Sequence, residues 1–272
     1  MKKTYQKRIK VLCIVFTHTK NHFTRAVAVK DTWLKHCDNA LFVTNEIEDS
    51  LKSKDGKINV VIFDKKNDTY DNLWYKTKFS FTYVYDNYFK NENRYDYFIK
   101  ADDDTFVIVE NLKRFLKNKD ENESYYFGSK MRPHKKYGVK GFMSGGAGYV
   151  LSRGSLEKLV TEGFLGDEKC GKIKIEAEDV AVSWCLGKLN ILPTYSRDEQ
   201  DNVLFFPSEN VIHYMYKLNN NKDVIQSYMY DPLPRNGINS MPHYPISFHY
   251  ISKENMRILY YLFYKAKIDY DN

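Results

Sequence analysis

Three consecutive carboxylates interrupt an apolar stretch in the middle of the sequence. Aromatic and β-branched residues at positions 97–99 favour a strand, and a second apolar run resumes at 106–109, so Asp102, Asp103 and Asp104 lie where the first strand ends. Strand ends of open α/β sheets are where ligands bind. Two carboxylates two residues apart can face one hard divalent cation, which can hold the oxygens of a diphosphate. The spacing predicts the metal half of a nucleotide-sugar site.

An acidic triplet does not by itself require a metal. An acidic turn, or a cluster that caps the following helix, would have the same sequence. An EF-hand loop is excluded, because counting from Asp102 places Phe106 at an oxygen-ligand position and Lys113 where the bidentate glutamate belongs.

A second acidic pair and one histidine are further candidates. Glu178 and Asp179 lie in the first turn of a helix predicted over residues 175–189, where the helix macrodipole alone would favour carboxylates. His249 lies inside a predicted late strand at 246–251, where a lone histidine commonly packs in the core or faces solvent. Imidazole also complements carboxylates around a borderline cation such as manganese.

A glycine-rich run over residues 141–152 includes Gly145 and Gly146 and precedes a helical pattern. Glycines let the backbone approach a ligand closely or adopt positive φ, although a plain turn has the same composition. The spacing is not GxGxxG, so it does not indicate a dinucleotide-binding fingerprint.

Short strand patterns alternate with helical patterns along the chain. Strands are predicted at 10–16, 40–44, 59–63, 97–99, 124–127 and 246–251, and helices at 23–36, 73–88, 112–116, 155–160, 175–189 and 253–267. This alternation predicts an α/β fold with a mostly parallel, doubly wound sheet. There is no internal repeat and no linker, so residues 1–272 are expected to form a single domain, with a basic extension at 1–9.

Composition narrows the function classes. The 272 residues are 43% hydrophobic and carry a net charge of +7, which favours an anionic ligand. The lysines are scattered and accompany no nucleic-acid-binding motif, which disfavours nucleic acid as a partner. No apolar run reaches the roughly 18 residues of a membrane span, and VLCIVF at 11–16 is too short for a signal peptide.

The four cysteines lack CxxC spacing, which disfavours a zinc site. Free thiols, or two disulfides in any of three pairings, remain open. Asn67 and Asn122 begin glycosylation sequons, which permit a secretory location.

The sequence resembles the inverting β1,3-glycosyltransferases that include Fringe, and most closely the core 1 β1,3-galactosyltransferases of mucin-type O-glycosylation. The resemblance covers residues 11–264. It rests on these blocks in this order: VLCIVFT, VKDTW, LFVT, WYKT, KADDDTFV, YFGSK, MSGGAGYVLS, EDVAV, SRD and SFHYI.

The resemblance implies a GT-A fold, UDP-galactose as the donor and GalNAc on serine or threonine as the acceptor. It implies Asp102, Asp104 and His249 as ligands of Mn²⁺, with Asp104 the more direct ligand of the acidic pair. It implies Asp179 as the general base, with Glu178 beside it. The C-terminal part, residues 200–272, is expected to complete the metal and acceptor sites.

Further residues are expected at the donor and acceptor sides of the site. The donor is expected to contact Thr17, Lys76, Asp103, Gly145 and Gly146. The aromatic rings of Trp74, Tyr214 and Tyr230 are candidates for stacking on the acceptor sugar, although the acceptor-side segment at 227–245 matches the family only loosely. The family's disulfide positions correspond to the pairs Cys13 with Cys37 and Cys170 with Cys185.

Family members are type II membrane proteins of the Golgi and often homodimers, so the Golgi lumen is the expected location. No anchor is present here, which indicates a fragment, an incomplete gene model or a soluble form. The alternatives are a Fringe-like β1,3-N-acetylglucosaminyltransferase and a non-catalytic, chaperone-like relative. That relative lacks an intact DxD, whereas DDD, ED and FHY are all present here, which favours an enzyme.

Overall fold

The computed structural model describes residues 8–63, 68–89, 94–166, 170, 173, 175–208, 228–231 and 237–267. The strands are β1 (Val11–Phe16), β2 (Asn39–Thr44), β3 (Ile58–Ile62), β4 (Tyr97–Asp102), β5 (Phe106–Val107), β6 (Tyr126–Gly128), β7 (Lys130–Met131), β8 (Phe142–Met143), β9 (Tyr149–Ser152), β10 (Phe205–Phe206) and β11 (Ser247–Phe248). The helices are α1 (Val27–Asp31), α2 (Leu73–Val84), α3 (Val109–Leu116), α4 (Arg153–Lys158), α5 (Glu178–Lys188) and α6 (Lys253–Tyr264).

The central sheet, within these described ranges, has six strands in the order β3-β2-β1-β4-β9-β6. The strands β3, β2, β1 and β4 pair in parallel, while β9 runs antiparallel to both of its neighbours. The predicted α/β fold with a mostly parallel sheet is therefore confirmed.

Helices cover both faces of this sheet, which explains why its strands are apolar throughout. In β1, Val11, Cys13 and Val15 belong to one hydrophobic cluster. Leu12 and Ile14, on the alternate positions, belong to the other cluster. Side chains of a strand alternate between the two faces, so a strand buried on both sides reads as a continuous hydrophobic run.

Strand β9 is absent from the strands predicted by sequence pattern, because it lies within the glycine-rich run. The four residues Tyr149–Ser152 pair with β4, with Lys100 opposite Tyr149 and Tyr97 opposite Ser152. Four residues between a glycine and a helix cap show too little periodicity to reveal a strand, and the partner lies about 50 residues earlier in the sequence. The position of β9 comes from tertiary pairing.

A small sheet in the order β10-β11-β5 carries the C-terminal part of the chain to the end of β4. The prediction that His249 lies inside a strand is wrong, because β11 ends at Phe248 and His249 begins the following turn. Tyr250 has φ +58°, a left-handed conformation that does not continue a strand.

Both disulfides implied by the resemblance are present. Cys13 of β1 bonds Cys37, and Cys170 bonds Cys185 of α5. Of the two sequon asparagines, Asn122 is exposed in a turn and Asn67 lies outside the described residues. None of the helices in the described ranges has the length and hydrophobicity needed to cross a membrane.

Candidate metal and catalytic site

The acidic triplet forms a tight turn at the carboxyl end of β4. The Thr105 amide donates to the Asp102 carbonyl at 3.1 Å, and the Asp102 amide donates to Oγ1 of Thr105 at 3.3 Å. The triplet is therefore an acidic turn at the carboxyl end of β4, the part of an open α/β sheet where ligands commonly bind. Its three carboxylates have different partners.

Asp102, Asp104 and His249 form a cluster that could hold a metal ion. One ligand atom from each residue lies within 4.8 Å of the others. Oδ1 of Asp104 is buried, has no hydrogen-bond partner and lies 3.4 Å from Nε2 of His249. Leaving a buried carboxylate oxygen unpartnered is costly, and a bound cation would satisfy it. Two carboxylates and an imidazole suit a divalent ion such as manganese, so these residues fit the implied metal.

The imidazole of His249 is fixed on three sides. Nδ1 lies 3.2 Å from the Pro207 carbonyl, and the ring stacks on Tyr250 with 3.7 Å between centroids. Any side chain at Gly146 would overlap the imidazole. Because a carbonyl only accepts, the Pro207 contact favours the tautomer with its proton on Nδ1, which leaves Nε2 free to bind a cation.

Asp103 is expected at the donor, and the structure places its carboxylate in an internal network. Oδ2 accepts hydrogen bonds from Oγ1 of Thr17 at 2.7 Å and from Nδ2 of Asn21 at 2.9 Å. Burial raises the pKa of Asp103 to about 6, although these two hydrogen bonds act to lower it. The contacts tie the segment after β1 to the end of β4.

Lys76, also expected at the donor, is a buried residue of α2. Its ammonium donates to the Thr17 carbonyl at 2.7 Å and to both carboxylate oxygens of Asp68 at 2.8 Å. The residue is 2% exposed, and burial lowers its pKa. An ammonium has three donors, and all are occupied here, so this structure gives Lys76 the role of holding Thr17 in place.

Asp179 lies at the start of α5 and is partly exposed. Its Oδ2 accepts from the Gly145 amide at 3.1 Å, and its Oδ1 accepts from the Val180 amide at 2.9 Å. Burial, followed by the charge of Glu178, raises the pKa of Asp179 to about 6. A helix N-terminus alone would lower the basicity of this carboxylate, but burial and the neighbouring charge outweigh the helix end.

Glu178 has different surroundings from Asp179. Its Oε1 accepts from Oγ1 of Thr77 and from the hydroxyl of Tyr149, each at 2.7 Å, and the residue is 6% exposed. Its Oε2 lies 3.6 Å from the ammonium of Lys100. Adjacent helix residues point in different directions, and here Glu178 points into the core.

Gly145 and Gly146 connect the two halves of the site. The Gly145 amide binds Asp179, and the Gly146 carbonyl accepts from Oγ1 of Thr105 at 2.7 Å. A Cβ on Gly145 would lie 2.9 Å from Oε2 of Glu178. Both positions need glycine because neighbouring side chains approach closely.

The aromatic residues expected at the acceptor have different surroundings. Trp74 is 1% exposed and packs edge-on against Phe164, so its ring faces are closed to a sugar and its expected stacking role is corrected to core packing. Tyr230 is 40% exposed, with the ammonium of Lys130 3.5 Å from its ring centroid. Tyr214 lies outside the described residues.

Three residues at the site are not among those predicted from the sequence. Arg25 is half-exposed and lies 3.3 Å from Oδ2 of Asp104. Tyr250 is 56% exposed beside His249. Lys100 is buried in β4, and a lysine inside the apolar run YFIKAD is a sequence feature that could have identified it. No spacing in the sequence indicates Arg25.

The chain matches several known proteins. A glycoprotein-N-acetylgalactosamine 3-beta-galactosyltransferase 1 from Xenopus laevis is 35% identical over 269 residues, 96% of this chain and 68% of that protein. A UDP-GalNAc:beta-1,3-N-acetylgalactosaminyltransferase 1 from Homo sapiens is 28% identical over 158 residues, 51% of this chain and 43% of that protein.

A solved structure is also similar. It is a glycosyltransferase involved in the glycosylation of the major capsid of PBCV-1, with a TM-score of 0.42, 10% identity, and coverage of 69% of this chain and 81% of the other. The family model described as Fringe-like matches residues 7–256. This match spans most of the sequence and agrees with the 35% identity to the Xenopus laevis protein, so the chain belongs to the Fringe-like family.

Proposed function

We propose that the protein is an inverting β1,3-galactosyltransferase that moves galactose from UDP-galactose to the 3-hydroxyl of GalNAc α-linked to serine or threonine. The observation that carries this proposal is the cluster of Asp102, Asp104 and His249, which the Gly145–Gly146 segment joins to Asp179. The substrate pair is supported by the name of the Xenopus laevis relative, which aligns with 96% of the chain.

Asp102, Asp104 and His249 would hold the cation, and Mn²⁺ suits their mixed oxygen and nitrogen atoms. When bound, such an ion neutralises charge on the leaving diphosphate. Arg25 lies beside Asp104 and is half-exposed, so its guanidinium is available to an anionic ligand. Thr17 and the glycine pair line the same end of the sheet and complete the proposed donor side.

Asp179 is proposed as the general base. Its pKa of about 6 keeps the carboxylate ionised at neutral pH, and makes it a stronger proton acceptor than an ordinary aspartate. The carboxylate would take the proton of the acceptor 3-hydroxyl as that oxygen attacks the anomeric carbon. A single displacement from the face opposite the leaving group inverts the anomeric configuration.

The acceptor sugar is proposed to meet exposed aromatic rings. Tyr250 is 56% exposed and stacks on His249, which places it at the edge of the site, and Tyr230 is 40% exposed. Tyrosine rings offer an apolar face together with a polar hydroxyl, which suits a sugar. Tyr230 is retained from the sequence prediction, and Tyr250 takes the place of the buried Trp74.

The proposed setting is the Golgi lumen, with residues 1–272 acting as a single GT-A catalytic domain and a homodimer as the proposed assembly. The two disulfides support an oxidising compartment. Residues 200–272 would complete the metal and acceptor sites, and His249 is the described residue of that part that contributes to the cluster.

A donor panel tests the proposal. Purified protein with Mn²⁺ is given UDP-galactose, UDP-GlcNAc or UDP-glucose, together with a GalNAc-threonine glycopeptide, and product linkage is determined by NMR. We expect galactose to be transferred in β1,3 linkage, and Asp179→Asn to abolish most of the product. Transfer of GlcNAc instead would indicate a Fringe-like specificity. UDP binding without transfer from any of the three donors, or no UDP binding, would indicate a non-catalytic relative.

A further inference from the structure

Lys100 is a charged residue at the centre of the main sheet. In the strand register it lies between Ile14 of β1 and Tyr149 of β9, and it is 2% exposed. Its ammonium is 4.9 Å from the ring centroid of Phe16 and 5.9 Å from that of Tyr149. A buried ammonium in such surroundings persists only when carboxylates or carbonyls surround it.

The partners of this ammonium come from three elements of the candidate site. Oδ1 of Asp102 lies at 2.8 Å, the Gly145 carbonyl at 3.4 Å and Oε2 of Glu178 at 3.6 Å. Asp102 belongs to the candidate metal cluster. Glu178 precedes the candidate base Asp179 in sequence, and the Gly145 amide donates a hydrogen bond to Asp179. The Lys100 ammonium therefore contacts both halves of the site.

Lys100 and Glu178 are closed to substrate. Glu178 is held from the other side by Thr77 and Tyr149, and neither Lys100 nor Glu178 is more than 6% exposed. The Asp102 side chain, by contrast, is 33% exposed. The ammonium thus has a rigid anchor on its buried side and a more accessible carboxylate on the other.

We propose that Lys100 is a positioning residue, which uses Glu178 and the Gly145 carbonyl as a fixed anchor to hold the Asp102 carboxylate in the orientation that binds the cation. The inference rests on the proposed function, because it concerns the same cation site. Partners that orient a metal ligand typically change metal affinity 10- to 100-fold when removed.

A matched pair of variants separates this role from simple charge compensation in the core. Lys100→Met alone would leave Glu178 as an uncompensated buried carboxylate and endanger folding. Glu178→Gln keeps a side-chain oxygen that can accept from the Lys100 ammonium, so the anchor is retained without its charge. It differs from Lys100→Met/Glu178→Gln only at Lys100, and neither variant contains that uncompensated charge. Thermal unfolding without metal shows whether both fold, and calorimetry measures UDP binding in Mn²⁺ and in EDTA.

We expect the double variant to bind UDP at least about 10-fold more weakly than Glu178→Gln in Mn²⁺, and equally in EDTA. Equal affinities in Mn²⁺, or equal losses in Mn²⁺ and EDTA, would overturn the positioning role. Lys113→Met is the control for removing a lysine that pairs with an aspartate elsewhere, since Lys113 lies 2.7 Å from Asp38. Its UDP binding should match that of the wild type.

Lys100→Arg decides the question if the double variant does not fold. It keeps the positive charge, but a planar guanidinium on a longer side chain cannot reproduce contacts with oxygens from three elements. Weaker Mn²⁺-dependent UDP binding supports positioning, and wild-type binding overturns it. Wild-type protein that transfers no galactose to the glycopeptide would overturn the proposed function itself, whereas an active wild type that binds UDP equally with and without Mn²⁺ would overturn the cation site, and the positioning role with it. The two failures are therefore distinct.

Discussion

The hydroxyl of Tyr149 donates a hydrogen bond of 2.7 Å to Glu178 in the protein interior. This bond joins β9, the strand that sequence patterns do not reveal, to the first residue of α5. Asp179 follows immediately, so the candidate base is positioned by a neighbour whose own carboxylate is locked in the core. The pair divides into an anchor, Glu178, and an accessible carboxylate, Asp179.

Asp104→Asn should weaken UDP binding in Mn²⁺ by at least about 10-fold and leave binding in EDTA unchanged. Oδ1 of Asp104 is buried without a hydrogen-bond partner, and a bound cation would satisfy it. Calorimetric titration with UDP in each condition measures the difference. EDTA should also abolish transfer, and added Mn²⁺ should restore it.

Asp49→Asn is the matched control, because Asp49 is exposed and its nearest cation is Lys52 at 2.8 Å. Equal losses for Asp104→Asn in Mn²⁺ and in EDTA would show that Asp104 is structural. Full transfer activity in excess chelator would disprove the metal assignment altogether.

Asp179→Asn should reduce kcat by about 10² to 10⁴-fold while UDP binding is retained, which is the usual size of a lost general base. In the wild type, kcat should rise with pH and level off above the pKa of about 6, because only the ionised carboxylate accepts a proton. Glu178→Gln should lose much less turnover per folded molecule. If Glu178→Gln is inactive and Asp179→Asn remains active, Glu178 and not Asp179 is the general base.

The same carboxyl should affect stability in the absence of metal. Its pKa is raised from 3.8 to about 6 in the folded state, so folding takes up a proton between these values. Its stabilising contribution is present below pH 3.8 and is lost as the pH rises through about 6. The Tm of Asp179→Asn minus the Tm of the wild type should therefore be larger at about pH 7 than at about pH 4. The same difference at both pH values would contradict the raised pKa.

Tyr250→Ala should raise the KM for the acceptor more than that for UDP-galactose. The ring is 56% exposed, so its removal leaves little core cavity, although it stacks on His249. Tyr250→Phe keeps the ring and controls for the hydroxyl. The same measurement applies to Tyr230→Ala, and an unchanged acceptor KM in a folded protein would exclude that ring. Trp74→Ala should instead lower Tm, because Trp74 is core.

Removing the disulfide between Cys170 and Cys185 with two alanines should lower the free energy of unfolding by about 3 kcal/mol, the value for a loop of this length. The sequence separation is 15 residues, against 24 for Cys13 and Cys37, so the bridge between Cys13 and Cys37 should contribute slightly more. Denaturant titration measures both losses.

Peptide mapping under non-reducing conditions should recover both pairs, and alkylatable thiols in native protein would contradict them.

The sequence by itself determined the local features of this protein. Apolar runs indicated five of the six strands of the main sheet, all but β9, and the acidic triplet marked the end of β4, because strand patterns and turn residues are local properties of the chain. Ordered motifs identified the family and the two cysteine pairs. The ligand chemistry of imidazole and the family motif identified His249 as a candidate metal ligand. The strand pattern wrongly placed this residue inside the last strand instead of after β11.

Tertiary structure alone decided how these features combine. It showed β9, which exists through pairing with a strand about 50 residues earlier, and it placed Lys100 against carboxylates from separate elements. It also raised the pKa of Asp179, which a helix N-terminus alone would lower, because burial depends on neighbours distant in sequence. Trp74 and Lys76 were both expected to contact a ligand, and both are buried. Residue type states what a side chain can do, whereas packing decides which partners it meets.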